Sequence, residues 1–488
     1  MTKAFGVFVS LAMKMPADAT STSALAADAS RFPPQVRYIL GNEACERFSF
    51  YGMKSILAIY ALSLLGNADQ STVLFHWFAF LSYLMPLWGG WISDKHWGRY
   101  NTILRLSLLY CAGHGILALS DLSAFGNYKL ECLYAGLLLI AVGAGGIKPC
   151  VSAFMGDQFG EGQTRLVQRA YAAFYWSINI GSLCAPLLIP WVRDRWGYGW
   201  AFAIPGVLMG VATFVFWLGR HRYRHVPAQR QPSYWQIIFH GLFRGVFRRG
   251  DRFLDPARRH YGAACVNDAV AVNRILWVFL LVPPFFALFE QHSSTWVLQG
   301  RQMEALVLWS GLTIGAEQMQ SANPAFVILL VPVLTLWVYP RFRTRLGAPL
   351  RRMAAGMCVA AFAYLPVAWL QYRIENGETP GILWQLIPYF IITLGEVLVS
   401  ATGLEFAYTQ APKSMKGTVT SLWLLTIALG QLLIVAVTHF GGKLAATGAG
   451  TAVSSGRFLL YAGLMSVTAV IFAIATARYP YSNRAHEH

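Results

Sequence analysis

Apolar runs such as Ala201 to Leu218, Phe326 to Val338 and Leu459 to Ala475 recur along the whole chain, separated by short polar or Gly/Pro-rich breaks. A hydrocarbon core of roughly 30 Å is crossed by about 20 helical residues. A backbone facing lipid must satisfy its own hydrogen bonds, which a helix does. The pattern therefore predicts helices near Val36–Leu65, Thr72–Ser93, Thr102–Leu119, Cys132–Gln158, Val167–Trp191 and Gly199–Gly219. A second set follows near Val272–Leu298, Asn323–Tyr339, Met353–Gln371, Ile382–Ala407, Thr418–His439 and Arg457–Arg478. The expectation is an all-α polytopic membrane protein with about twelve transmembrane helices.

Composition agrees. Of 488 residues, 56% are hydrophobic and 12% charged, with a mean hydropathy of +0.45. That is more apolar surface than the core of a water-soluble fold uses, and the surplus faces lipid. The net charge of +17 does not point to nucleic acid, because the basic residues sit between hydrophobic runs and form no exposed reading surface. They alternate from loop to loop instead. One side carries Lys95, Arg99 and Arg105, then Arg165 and Arg169, the stretch Arg220 to Arg259, Arg341 to Arg352, and Lys413 with Lys416. The other carries Lys129, Arg193, Arg195, Arg301, Arg373, Lys443 and Arg457. By the positive-inside rule the first side, and with it both termini, is cytoplasmic.

Residues Met1 to Ser30 imitate a weak signal peptide, but cleavage conflicts with that charge map. A disordered cytoplasmic tail, or a start extended upstream of Met13 or Met15, is the simpler reading. The long polar interruption from Arg220 to Ala271 falls midway between two sets of six spans. The expected organisation is an N-terminal cytoplasmic tail over 1–35, a six-helix bundle over 36–219, a basic cytoplasmic linker over 220–271, a second six-helix bundle over 272–478 and a tail over 479–488. Within the linker, Tyr234 to Phe247 mixes aromatics with Arg244, which suits either a helix on the anionic inner leaflet or a solvated segment. The seven cysteines are scattered without a Cys-x-x-Cys pair, so reduced packing residues are expected and no zinc or disulfide framework.

An ionisable side chain at bilayer depth costs at least about 2.5 kcal/mol, so each one is a functional candidate. Glu43, Glu46, Arg47, Tyr51 and Lys54 share one face of the first helix. A salt-bridged packing seam or the wall of an aqueous cavity would accommodate that stripe, and the number of charges favours the cavity. Lys148 lies in Gly143-Ala-Gly145-Gly146-Ile-Lys148-Pro149, where glycines let helices approach closely. A phosphate loop is excluded there, because no strand precedes it and no Ser or Thr follows the lysine. His76 and Tyr83 lie two turns apart on the second helix; His76 fits either a hydrogen-bonded helix histidine or a proton site. Glu290 and Glu396 are single carboxylates in apolar sequence of the second half, while Asn179 and Asn323 suit either helix pairing or ligand contact. Cations in the first half (Arg47, Lys54, Lys148) and anions in the second (Glu290, Glu396) would together fit a zwitterion. His-Glu-x-x-His and Gly-x-Ser-x-Gly are absent, which argues against an enzyme.

Asn42-Glu43-Ala-Cys-Glu46-Arg47-Phe48-Ser-Phe50-Tyr51-Gly52 resembles the Glu-x-x-Glu-Arg-Phe-x-Tyr-Tyr-Gly signature of the proton-dependent oligopeptide transporter family. Phe174-Tyr175-Trp-Ser-Ile-Asn179-Ile-Gly181 is similar to that family's second signature, and Phe289-Glu290-Gln291, Asn323-Pro324 and Gly395-Glu396 keep its order. Gly90 to Arg99, with Asp94, Lys95 and Arg99, resembles the loop motif of the major facilitator superfamily, in which an Asp and basic residues clamp cytoplasmic helix ends. A weaker echo runs from Arg341 to Gly347.

The resemblance implies a major facilitator fold and proton-driven import of di- and tripeptides by alternating access, in a bacterial inner membrane, by a monomeric unit with protons as the coupling ion. It assigns Arg47, Lys148 and Lys54 to the peptide carboxylate, Glu396 to the amino group, and Tyr51, Tyr83, Asn179 and Asn323 to peptide contacts. Glu43, Glu46, Arg47, Glu290 and His76 become the proton-coupling set, with ionised Glu43 and Glu46 expected on Arg47 and Lys148. The chain departs from the pattern at Phe50, where Tyr is usual, at His292, where Gly is common, and in a linker too polar to supply two extra helices. Carriage of another anion, such as nitrate or an organic acid, is the alternative.

Overall fold

The computed structural model describes residues 32–160, 163–225, 234–245, 254–308, 313–342, 348–441, 452–477 and 479. Helix α1 (Val36–Leu65) ends at Gly66, whose φ of 66° lets its N–H reach back to the Leu62 carbonyl at 2.8 Å. Asn67 then caps α2 (Ala68–Ile92), its side-chain oxygen accepting from the amides of Asp69 and Gln70 at 2.8 and 3.2 Å. Capping on both sides of a two-residue link separates α1 from α2. A π-helical turn (Ser93–Trp97) leads into α3 (Gly98–Leu119), followed by α4 (Lys129–Asp157). Helix α5 spans Thr164–Leu218, broken at Gly197 by a φ of 86° that side chains disfavour.

Between the two sets of spans lie α6 (Tyr234–Gly245) and α7 (Asp255–Tyr261), then α8 (Ala263–Phe279). Two prolines open α9 (Pro283–Phe289), which ends in a 3-10 turn (Glu290–Ser293) before α10 (Thr295–Gly300). A two-stranded hairpin follows, β1 (Leu306–Val307) with β2 (Thr313–Ile314), registered Leu306 to Ile314. The remaining helices are α11 (Ala322–Val333), α12 (Pro349–Glu375), α13 (Leu386–Glu396), α14 (Thr402–Gln410), α15 (Lys416–Gly441) and α16 (Ser455–Thr476). A π-helical turn over Val397–Ala401 separates α13 from α14.

Among the described residues, nine helical segments are long and apolar enough to cross a membrane, and α8 with Pro283–Gly300, bent by 48°, makes a tenth. The protein is an all-α polytopic membrane protein. Large side chains such as Trp77, Trp277, Trp337 and Ile474 project from it, while Tyr110, Trp296, Tyr364 and Phe458 fill its interior. Such exposed apolar girth suits lipid as solvent.

Helices α1 to α5 pack on one another, as do α8 to α16; the two sets meet mainly where α2 lies on α15 and α5 on α11. Glycines set the closest approaches. A Cβ on Gly89 of α2 would lie 2.3 Å from the Gly146 carbonyl oxygen of α4, and one on Gly395 would lie 2.9 Å from that of Gly356. These backbone contacts carry Lys148 against α2 and bring Glu396 beside α12.

The spans read from sequence are mostly found, with longer ends. The seventh differs most: Val272–Leu298 reads as one helix, whereas Pro283, Pro284 and the irregular turn at Glu290 divide it. The segment read as linker over 220–271 holds α6, α7 and the start of α8. Residues 1–31, most of the Arg341 to Gly347 echo and Lys443 lie outside the described residues. The seven cysteines are unpaired.

Candidate functional site

Helix α1 contributes one acid–base stripe. Arg47 Nε lies 3.0 Å from Glu43 Oε1, one turn away, and its terminal nitrogen touches the Glu46 carboxylate. All three are nearly buried, Glu46 completely. Gly181 of α5 lets that helix sit against the Arg47 backbone; an added Cβ would be 3.0 Å from Arg47 Cβ. Asn179, two residues earlier, turns its amide to the Tyr175 carbonyl of its own helix at 2.9 Å.

Lys148 departs from expectation. The sequence places Glu43 and Glu46 on both Arg47 and Lys148, but the structure gives both carboxylates to Arg47. The Lys148 ammonium lies instead 4.4 Å from the centre of the Phe50 ring and 4.4 Å from that of Tyr83. Geometry decides this: Arg47 shares a helix turn with both acids, so α4 delivers its lysine to the aromatic faces beside them.

Two turns beyond Arg47 along α1, Lys54 reaches across to the C-terminal helices. Its ammonium lies 2.7 Å from Glu290 Oε2, and the Tyr83 hydroxyl points to the other oxygen at 3.4 Å. Lys54 is thus engaged by Glu290 and does not stand open beside Arg47. His76 also spans the two sets of helices: Nδ1 lies 2.6 Å from Gln431 Oε1 and Nε2 2.9 Å from Ser294 Oγ. Glu396, at the last turn before a π-helical segment, accepts a hydrogen bond from Asn323 at 2.7 Å, and Asn323 also donates to Thr393 Oγ1 at 3.0 Å. Tyr51 lies on the same stripe of α1, its ring edge-on to Phe50 at 5.8 Å. The Arg47 cluster and Lys54 thus share α1 with Phe50, and Tyr83 of α2 meets both Lys148 of α4 and Glu290 of the 3-10 turn, while Asn323 and Glu396 pair separately between α11 and α13.

The loop residues form a separate site. Arg99 pairs with Asp157 at the end of α4, with Asp94 within its electrostatic reach. Lys95 lies in the π-helical turn between. Asp157 escapes the sequence reading because a polar residue at a helix end carries no signal of its own. Ser294 escapes for a similar reason. Gln431 could have been found, as a lone amide inside the apolar run of α15. His292, the other departure, is buried: its ring lies on Phe289, with Nδ1 2.6 Å from the Phe289 carbonyl and Nε2 3.1 Å from Ser293 Oγ, and its own carbonyl accepts from Tyr389 at 2.7 Å. A cavity of about 710 Å³ lies elsewhere, lined by Leu65, Asp69, Trp77, Leu138 and His439 among others, and holds none of these candidates. Among the described residues no group of His, Cys, Asp and Glu is arranged to hold a metal ion.

The sequence model of PTR2, the POT family, matches residues 100–251 and 257–451. The chain belongs to the POT family. The crystal structure of the POT family transporter PepTSo superposes with a TM-score of 0.83 at 37% identity, covering 92% of this chain and 99% of that one. Mouse (Mus musculus) solute carrier family 15 member 2 is 36% identical over 397 residues, which is 77% of this chain and 54% of that protein. Peptide transporter family 1 of Drosophila melanogaster is 36% identical over 71% of this chain and 48% of that protein. This POT chain thus spans about half the length of these two relatives.

Proposed function

We propose that this chain is a proton-coupled symporter that imports di- and tripeptides by alternating access. The observation that carries the reading is the division of charge: Arg47 and Lys148 stand on N-terminal helices, Arg47 among the acids of α1 and Lys148 over two rings, while Glu396 with Asn323 stands on C-terminal ones. A peptide has one carboxylate and one ammonium, and its ends suit those two poles. Tyr51, Tyr83 and Asn179 are assigned to peptide contacts between those ends. Peptide transporter family 1 of Drosophila melanogaster and the solved auto-inhibited POT family peptide transporter support the substrate class.

Coupling follows from Arg47. An arginine keeps its proton in a protein, so when Glu43 and Glu46 both take up protons, Arg47 is left needing an anion. The peptide carboxylate supplies it. In the same way Lys54 joins the carboxylate-binding set once Glu290 is protonated, with His76 able to relay the proton across the same boundary. Each proton moving inward gains about 2.3 kcal/mol per 100 mV of inside-negative potential.

The same reading gives twelve spans in two six-helix bundles. The segments of 52 and 53 residues (Ala68–Leu119 and Leu166–Leu218) are each long enough to cross twice, breaking at Gly98 and Gly197, and the bent pair adds one more. The bundles occupy 36–219 and 272–478, joined by the 220–271 linker, with Asp94, Lys95 and Arg99 guarding cytoplasmic helix ends. Both termini are cytoplasmic, the membrane is a bacterial inner membrane and the working unit is a monomer. Counterflow uptake into proteoliposomes with a panel of di- and tripeptides at two pH values is the test. Exchange of nitrate or an organic acid with no exchange of any peptide would overturn the reading.

A further inference from the structure

The partners of Lys148 are rings, and this has a chemical consequence. Among the described residues no carboxylate lies within ion-pair distance of its ammonium, whereas Arg47 holds both Glu43 and Glu46, and Lys54 holds Glu290. The Phe50 ring is 2% exposed and fixed from two sides, stacked on Phe78 at 6.0 Å and edge-on to Tyr51 at 5.8 Å. Two cations approach it, Lys148 at 4.4 Å and the Arg47 guanidinium at 6.0 Å.

An aromatic face attracts an ammonium through its quadrupole without neutralising it. A carboxylate would cancel the charge and occupy the N–H donors; the ring holds the position and leaves both. Phenylalanine, unlike the tyrosine usual at this place in the signature, offers Lys148 the ring face alone. We propose that Phe50 is a positioning residue that sets the affinity for the substrate carboxylate by holding Lys148 charged, oriented and unneutralised. This rests on the peptide reading given above, and it adds to that reading a residue the charge pattern alone does not identify.

The experiment uses the full chain in lipid nanodiscs, with dialanine as probe and its Kd read by thermophoresis. Phe50→Leu removes the quadrupole and is expected to weaken binding roughly tenfold, the size of a partly desolvated cation–ring contact. Phe50→Trp and Phe50→Tyr keep a ring and are expected to bind within about threefold of the parent. In a Lys148→Gln background, Phe50→Leu should weaken binding no further, because its route to the substrate is already gone. Counterflow should show the loss in KM, with kcat little changed. The proposal is overturned by an unchanged Kd in Phe50→Leu, by an equal loss with Lys148 already replaced, or by Trp and Tyr behaving like Leu. Should Phe50→Leu fail to fold, Phe50→Met takes its place under the same criteria. If the parent chain binds neither dialanine nor any other peptide of the counterflow panel, the peptide reading itself falls, whatever the Phe50 variants do.

Discussion

Lys54 of α1 and Glu290 of the broken seventh span form an ion pair at 2.7 Å, with side-chain exposures of 6% and 5%. The pair joins the two sets of helices, and its energetics depend on that burial. Desolvating two charges is offset only while both are present; removing one leaves the other stranded, at a cost of about 3–5 kcal/mol. Glu290→Ala and Lys54→Ala should therefore each lower the thermal unfolding midpoint in detergent, and Lys54→Met with Glu290→Met together should recover most of the loss. A double variant no better than either single one would show that the two charges do not act as a pair.

Transport should depend on the α1 stripe more steeply than stability does. Glu43→Gln keeps the shape of the side chain but removes one of the two carboxylates on Arg47, and Lys148→Ala removes a charge proposed to bind the substrate carboxylate. Proton-driven dipeptide accumulation in proteoliposomes is expected to fall to background in both. Full accumulation in both variants would remove the proposed coupling.

Helix spacing at the site can be tested with one methyl group. A Cβ on Gly89 would lie 2.3 Å from a backbone oxygen that cannot move aside, whereas one on Gly90 meets its nearest atom, Pro149 Cγ, at 4.0 Å. Gly89→Ala should cost about 1–3 kcal/mol as overpacking and weaken dipeptide binding by moving Lys148. Gly90→Ala should change neither. Equal effects in the two variants, read as unfolding midpoint and dialanine Kd, would contradict the close approach of α2 and α4.

Arg193 of α5 forms a second ion pair between the helix sets, with Glu317, which is 2% exposed. Glu317→Gln should loosen that end. A cysteine placed at Ser321, itself 5% exposed, in a background with the native cysteines replaced, should then react several-fold faster with a membrane-impermeant maleimide. An unchanged rate would mean that the pair does not hold this end closed.

The sequence makes the spans legible because lipid enforces long apolar runs, and makes α1's charges legible because ions at that depth are costly. Glu43, Glu46, Arg47 and Tyr51 come from one helix, so local periodicity suffices to put them on one face. Partnership across helices is harder to read. Lys148 goes to Phe50 and Tyr83 because of the Gly89 to Gly146 contact, which depends on how two helices pack. Likewise the choice of Glu290 by Lys54 depends on where Pro283 and Pro284 bend the seventh span. Ser294 and Asp157 look ordinary in sequence and gain meaning only from the residues they meet.

The bonds that cross between the helix sets lie toward the end where α1 turns into α2 and α5 breaks at Gly197. They include Lys54 to Glu290, His76 to Ser294 and Gln431, Gln320 to the Ser55 carbonyl, Ser321 to the Leu183 carbonyl and Arg193 to Glu317. Each neutral member contributes about 0.5–1.5 kcal/mol net, and a row of them has to part together, like a zip, before that side can gape. An empty carrier should therefore turn over sluggishly. Swapping one solute for another should outrun net filling of a vesicle, with the clock set by unfastening this seam.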